Sequence, residues 1–586
     1  YYNITRDYSP LYMEATMFLD FKVPIPSVKG KIFIKKVRDF HYVHYEYDSV
    51  YDSVKKYSLP KRTTIGKVCD DDSSMMFPNP NYLKFFPDKE LPSLSSTPRS
   101  SCLKIGAWIV IEKIIHDYNL SGILSQIIGS KYELFLDLIA YTIICENNSA
   151  QYYPDYAYNH PLFTEDMKIY SDSTISNFLH EITVDNSVAF LNTWNYVQDH
   201  REKIYISYDS TNKKSQAGDI DLVEVGHSKA GLSDTIFNYS IAYNRTNRTP
   251  LFYEAYSGSI TDIIQLQEMI DKAESFGYKR AGFILDRGYF SEANIHYMDE
   301  KNYDFLIMVK GMKPFIKQIV LDNKGTFEET YSNVISEYGI SGTTIKKKLF
   351  HTDIRERYIH LYFNEYKAAI EKSELVEKIE EMRKYIEKHQ GENIILPKIY
   401  NHYFDLIYWN EGKENQVLQG AVSRNSVIEE EMKLCGYFAI VSSEKMNAKE
   451  AILLYKSRDD SEKLFRGDKS YLGNNAEKVY SSESNKAKIF IEFIALIVRS
   501  KMYVDLVEGM HEAGKRMNYM TVPAAVRELE KIEMIKYGNN IYHLDHAITK
   551  TQKTILKSFG IDAKEINERI ESLSIQLGEL DKVKSI

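Results

Sequence analysis

Asp209 and Asp286 each close a short apolar run of strand character, at 204–209 and 281–286. In the first run Ile204, Ile206 and Tyr208 alternate onto one face, which leaves Asp209 on the other, at the strand's carboxyl end. Asp286 stands the same way before Arg287, Gly288 and Tyr289. Ligands of open α/β sheets bind outside the carboxyl ends of strands, so two aspartates placed like this can converge on a divalent cation. A single aspartate after a strand is equally a turn or helix cap, and neither alone fixes a function.

A third element adds charge of both signs. Arg458, Glu462 and Lys469 follow Tyr455 at offsets of 3, 7 and 14 residues. On one helix, at roughly 100° per residue, all four fall within about 60° of one face. One carboxylate, two cations and a phenol there suit a metal ligand flanked by phosphate-binding groups. Arg grips a phosphate bidentately, and Lys supplies a point charge. A solvated charged stripe is the plainer reading of the same residues. Gly467, between Glu462 and Lys469, costs a helix about 1 kcal/mol, so the helix can end before the lysine.

The elements that must position these residues alternate. Strand-like runs at 203–209, 238–244 and 281–286, with a helical pattern at 260–277, argue for an α/β layer architecture. From Asp286 to Glu462 is 462 − 286 = 176 residues, too many for a structureless connection in a compact core. An inserted domain is therefore expected at 316–435, containing a long charged helix (364–389) and a β-like run (398–409). It divides an α/β core into 201–315 and 436–515. A β-rich region (1–95) and a helical one (96–200) precede the core, and a helical region (516–586) with a short hairpin follows it.

At 586 residues the chain is too long for one hydrophobic core, and two to four domains are expected. Hydrophobic content of 44% with 27% charged residues excludes disordered and fibrous classes. The 46 tyrosines suit half-buried strands, although AT-rich coding sequence also produces them. No basic segment followed by an apolar run opens the sequence, so no signal peptide is expected. The apolar stretch 489–498 is interrupted by Glu492 and is too short for a bilayer. Cys69, Cys102, Cys145 and Cys435 lie far apart, which argues against a zinc site or a disulfide framework and for a reducing cytoplasm. The net charge of −8 leaves nucleic acid open as a partner, because phosphate binding depends on local Lys and Arg rather than on the average. Lys61, Arg62 and Lys67 gather around a glycine, as a DNA-contacting edge or as a solvated strand pair.

The spacing of Tyr455, Arg458, Glu462 and Lys469 resembles the Y-R-E-K signature of DDE insertion-sequence transposases. The insertion-sequence-four group, with its larger members that carry an inserted domain, is the most similar. YDSTN holds Asp209, VGHSKAGLSD follows it, and RTPLFYEAYSGSITD precedes ILDRGYFSEANI, which holds Asp286. YFAIVSSEKMNAKEAILLYKSRDDSEKLFRGDKSYL holds Glu462. The likeness spans roughly 200–515 in the right order, and the strands around Ile65-Gly66-Lys67 also look like the group.

The resemblance implies an RNase H-like catalytic core in which Asp209 bridges two Mg²⁺ (or Mn²⁺) ions, with Asp286 and Glu462 each completing one site. Hard oxygen ligands suit those ions. It implies hydrolytic nicking and then strand transfer on double-stranded DNA, at the element's terminal repeats and at a target, by a homodimer that joins two ends. Tyr455, Arg458 and Lys469 would hold phosphates, and 96–200 would bind DNA or dimerise. In relatives the insertion reaches the DNA end and can stack an aromatic on a flipped base. Trp409, beside Tyr408, is the candidate here, against a buried tryptophan of the insertion's sheet. His227 and Lys229 could touch DNA, while Trp108 and Trp194 need only a packing role. A decayed DNA-binding relative and a nuclease that never rejoins are the rival readings.

Overall fold

The computed structural model describes residues 18, 22–38, 40–52, 55–69, 72–87, 99–215, 220–227, 233–310, 312–412, 416–459, 479, 481–516, 519–536 and 541–584. The N-terminal strands form one antiparallel sheet from β1 (Val23–Pro24), β2 (Ile32–Val37), β3 (Phe40–Asp52), β4 (Tyr57–Val68) and β5 (Met75–Pro78), in the order β1-β5-β4-β3-β2. Its core is small, built from Val43, Ile65, Met76 and Tyr82. Tyr82 comes from the short helix Pro80–Phe85, whose first turn Asn79 caps through its side chain.

After β6 (Cys102–Lys104) the chain becomes helical. Helices Gly106–Asp117, Tyr132–Cys145, Asp172–Glu181 and Val184–Tyr196 pack on the long helix Ser482–Glu512, and Leu120–Ile128 packs on the first, second and fourth of them. That helix is apolar nearly all round between Ile489 and Val498, which is the signature of a buried helix. Phe490 is its hub, with ring centroids 5.1 Å from Phe135 and 5.4 Å from Phe190.

Tyr132–Cys145 also buries an acid. Asp137 is fully buried and accepts the N–H groups of Phe163 at 2.6 Å and Thr164 at 3.4 Å. Burial nonetheless pushes its carboxyl from 3.8 up to about 7, against those donors and the nearby Arg99. A raised folded-state value means that the native protein holds a proton the unfolded chain has released. Its contribution is therefore complete below 3.8 and lost as pH rises toward 7. The stability of wild type relative to Asp137→Asn should accordingly fall across that window in urea titrations. A difference that stays flat with pH would show a carboxylate already ionised in the native state.

The central sheet contains β7 (Ile204–Lys214), β8 (Glu224–His227), β9 (Ser233–Asn244), β10 (Thr249–Ser257), β11 (Ala281–Leu285), β12 (Asp304–Met308), β13 (Val334–Ile335), β14 (Ile340–Lys347) and β15 (Arg357–Phe363). A separate hairpin, β16 (Phe404–Trp409) with β17 (Val417–Ser423), comes before β18 (Tyr437–Ser442) returns to it. The order is β10-β9-β7-β11-β12-β18-β15-β14-β13, with β8 on β9. Among the described pairs of neighbouring strands, β7–β11 and β11–β12 are parallel and the others are antiparallel. The helix Asp262–Ser275 makes the crossover into β11. The fold is mixed α/β, as the alternation of patterns indicates.

Of the interval 316–435, three strands belong to this sheet, because β15 pairs along its whole length with β18. Ile359 and Leu361 of β15 are fully buried in the main core. A separate core collects only further on. There Ile379, Met382 and Ile386 of the helix Glu365–Lys388 pack with Leu396, Phe404 and Leu418. At the other end of the chain, β19 (Glu533–Lys536) and β20 (Tyr542–Leu544) form a sheet in the order β20-β19-β6, tying the C-terminal region to the helical one. Among the described residues no helix is long and apolar enough to cross a membrane.

Candidate active site

The strand that carries Asp209 does not end there. β7 continues to Lys214, with Asp209 opposite Ile241 and Lys214 opposite Ile236 of β9. The carboxyl end expected from the sequence is found on one flank only. Pairing of β7 with β11 stops at Tyr208 opposite Leu285. Asp209 is thus the first residue of β7 beyond β11, and Asp286 is the first residue after β11. The next step of that register sets the two aspartates side by side on adjacent parallel strands, whose spacing is about 4.8 Å. Tyr208 and Leu285 face the main core, so alternation turns both aspartates to the face of Ile284.

That face is covered by the helix Ala448–Lys456. Ala451, Ile452 and Tyr455 pack on Ile284, Leu306 and Ile440. Asn447 and Glu450 form a capping box at its start. It runs to Lys456, and Glu462 and Lys469, which would continue its face, fall beyond the described part of this segment. The Ser457 hydroxyl donates to the Leu454 carbonyl at 2.6 Å, and the Arg458 N–H turns back to the Tyr455 carbonyl at 3.1 Å. The Ser457 N–H still bonds back to the Leu453 carbonyl at 3.1 Å, so Arg458 follows directly on the last turn of the helix.

The turn delivers the guanidinium to Asp286. Arg458 Nη1 lies 3.5 Å from Asp286 Oδ2, with the Arg458 side chain 11% and that of Asp286 38% exposed. Asp286 Oδ1 accepts the Arg287 N–H at 2.6 Å, so this residue is also the cap that a lone aspartate suggests. Asp209, half-buried, accepts the Ser210 N–H at 2.9 Å. The Tyr455 ring is buried, and the Arg458 guanidinium stands 5.5 Å from its centre.

Glu462, Lys469 and Lys229 lie outside the described residues, and of His227 only its place in β8 is described. Among the described residues no group of three or more His, Cys, Asp or Glu side chains is placed to hold a metal ion. As donors, Asp209 and Asp286 fit a hard cation: two carboxylates at neighbouring register positions, one half-buried and one open to solvent. Trp409 is 58% exposed at the end of β16, not buried in its sheet. Trp108 and Trp194 are buried, and Trp194 Nε1 donates to the Pro250 carbonyl at 2.9 Å.

Sequence reasoning missed a buried ionic cluster on the same strand. Lys213 Nζ donates to Glu492 Oε2 at 2.6 Å, Asn148 Nδ2 donates to Glu492 Oε1 at 2.7 Å, and Lys488 Nζ donates to Asn148 Oδ1 at 3.1 Å. The available signal was Glu492 inside an otherwise apolar helical run, whereas the burial of Lys213 on both sides of its strand shows only in the structure.

Residues 216–498 match the family model of the transposase DDE domain. The match takes in Asp286, Arg458, Glu462 and Lys469 and begins seven residues after Asp209 (216 − 209). No curated protein matches the chain. Among solved structures, a piggyBac transposase synaptic complex with hairpin DNA aligns at 8% identity and a TM-score of 0.35, covering 72% of this chain and 79% of that one. The family match supports a DDE transposase.

Proposed function

We propose that this chain is a DDE transposase of the insertion-sequence-four type, with an RNase H-like core, that cuts and rejoins DNA at the ends of its own mobile element. The observation that carries the reading is the register that sets Asp209 beside Asp286, with Arg458 brought onto Asp286 from the segment that leads to Glu462. The strand order β10-β9-β7-β11-β12 supports such a core. Asp209, Asp286 and Glu462 would hold two Mg²⁺ or Mn²⁺ ions. When bound, the ions supply positive charge against the charge that builds on the phosphate in an in-line displacement. Arg458 and Lys469 hold and orient the phosphates, Tyr455 backs the arginine, and Trp409 offers an exposed ring to a DNA end. Two ends must meet, so the working form is a dimer.

The test is cleavage of labelled DNA carrying the element's ends, with and without Mg²⁺, followed by joining of a pre-cut end to target DNA. Metal-dependent cutting with joined product supports a transposase. Cutting without joining would make it a nuclease, and binding without cutting a relic.

Arg458 gives a second check. A guanidinium 3.5 Å from Asp286 Oδ2 opposes any further cation there. Unit charges about 4 Å apart interact by about 4 kcal/mol near a surface, before screening by salt. Arg458→Gln should therefore bind Mn²⁺ on the order of tenfold more tightly while cutting more slowly. Unchanged Mn²⁺ affinity by calorimetry would remove Arg458 from the metal's surroundings.

A further inference from the structure

Positive charge is concentrated in the N-terminal sheet. The sheet's span, residues 23–78, holds ten Lys and Arg against seven Asp and Glu, a net +3 in a chain whose formal total is −8. The helical region 96–200 holds five against twelve, a net −7. A polyanion is therefore attracted to the sheet and repelled by the helices.

The charge lies on one face, among aromatic rings. Strand alternation and the β2–β3–β4 register put Phe33, Lys35, Phe40, Arg62 and Lys67 together, on the side away from the Val43–Ile65 core. Arg62 lies 4.4 Å from the Phe33 ring centre, and Lys67 Nζ lies 3.8 Å from that of Phe40. Phe33 is 37% and Phe40 43% exposed. The His44 imidazole, on this face, is held below its usual value by burial first, then by the positive charges of Lys35 and Arg62.

Beyond Glu46 and Arg62 the sheet narrows to a two-stranded arm. β3 and β4 stay paired from Asp48–Lys61 to Asp52–Tyr57, and the arm's residues are almost all exposed, Val50, Tyr51 and Tyr57 among them. Lys55 and Lys56 stand exposed near its tip. A two-stranded ribbon fits the major groove of B-DNA, about 12 Å wide, and β-ribbons serve as readers of either groove. Exposed rings on such a ribbon are costly in water and useful against sugars and bases.

We propose that this face and its arm are the DNA-docking element of the chain, with double-stranded DNA as the occupant. The arm enters a groove, and Lys35, Arg62 and Lys67 take phosphates. The assignment rests on the transposase reading for its biological substrate but not for its physics. It replaces the 96–200 helices as the place where DNA first binds.

The experiment measures binding of the full chain to a short mixed-sequence duplex, without divalent metal, over a range of salt concentrations. In Lys35→Gln/Lys67→Gln, loss of two phosphate contacts should lower the slope of log affinity against log salt by about 1.8. Glu46→Gln, which frees Arg62 from the 3.0 Å pair it makes with Glu46, should tighten binding. Of the three residues changed, Lys35 is exposed and Lys67 and Glu46 are partly buried, so circular dichroism and the melting temperature check the fold of both variants. Wild-type affinity and slope in the double variant would overturn the proposal, as would a variant that loses self-association but not DNA. If wild type cuts DNA while the double variant binds normally, only the docking element fails. If binding is sheet-dependent but no metal supports cutting, the transposase reading fails and the docking element stands.

Discussion

Asp286→Asn is expected to slow metal-dependent DNA cleavage by on the order of a thousandfold or more, since a metal's charge stabilisation is worth several kcal/mol and each 1.36 kcal/mol is tenfold in rate. DNA binding should survive. The substitution is close to isosteric, and an asparagine Oδ1 can keep the Arg287 N–H that Asp286 now accepts at 2.6 Å. It also removes a negative charge 3.5 Å from Arg458, so affinity for phosphate should rise if it changes at all. Loss of cutting together with equal or tighter binding is a pattern that misfolding cannot produce. Asp209→Asn should behave alike, because it stands at the neighbouring register position. Single-turnover cleavage and gel-shift affinity, measured on the same preparations, decide the matter. Cleavage within tenfold of wild type would leave Asp286 as a helix cap and nothing more.

The aspartates were legible in the sequence because each follows a run whose alternation fixes its face, and β7 and β11 keep those faces. The length of β7 was not legible. Ser210 to Lys214 look like a turn, and they stay extended because β9 returns antiparallel along them. The spacing put Arg458 on one helix with Tyr455, and the structure places its guanidinium beside Asp286. Strand β15, with β14 paired to it, looked like part of an insertion because its other partner, β18, lies more than seventy residues further along the chain. Local pattern cannot show a pairing of that kind. The charge on the N-terminal sheet needed both levels: composition gives the sign, and only the register shows that Arg62 and Lys67 share a face with Phe33 and Phe40.

Glu492→Ala should cost the fold about 3–5 kcal/mol, the range for removing one partner of a buried ion pair. Lys213 and Glu492 have side chains 0% and 1% exposed, so water cannot replace the lost carboxylate. Lys488, also buried, shares the cluster through Asn148. Two ammonium groups would then face each other across a vacated site, with one fewer anion between them. Glu492→Gln should cost less, because its amide oxygen can still accept from one donor. Lys213→Met/Glu492→Leu should cost less than Glu492→Ala alone, since deleting both charges removes the desolvation that their pairing offsets. The cluster joins the helix Ser482–Glu512 to β7 four residues beyond Asp209 and on the same face of the strand. Loosening it should therefore lower cleavage below the melting transition as well as the urea midpoint. A midpoint shift equivalent to less than about 1 kcal/mol would mean that solvent reaches Lys213 in the native state.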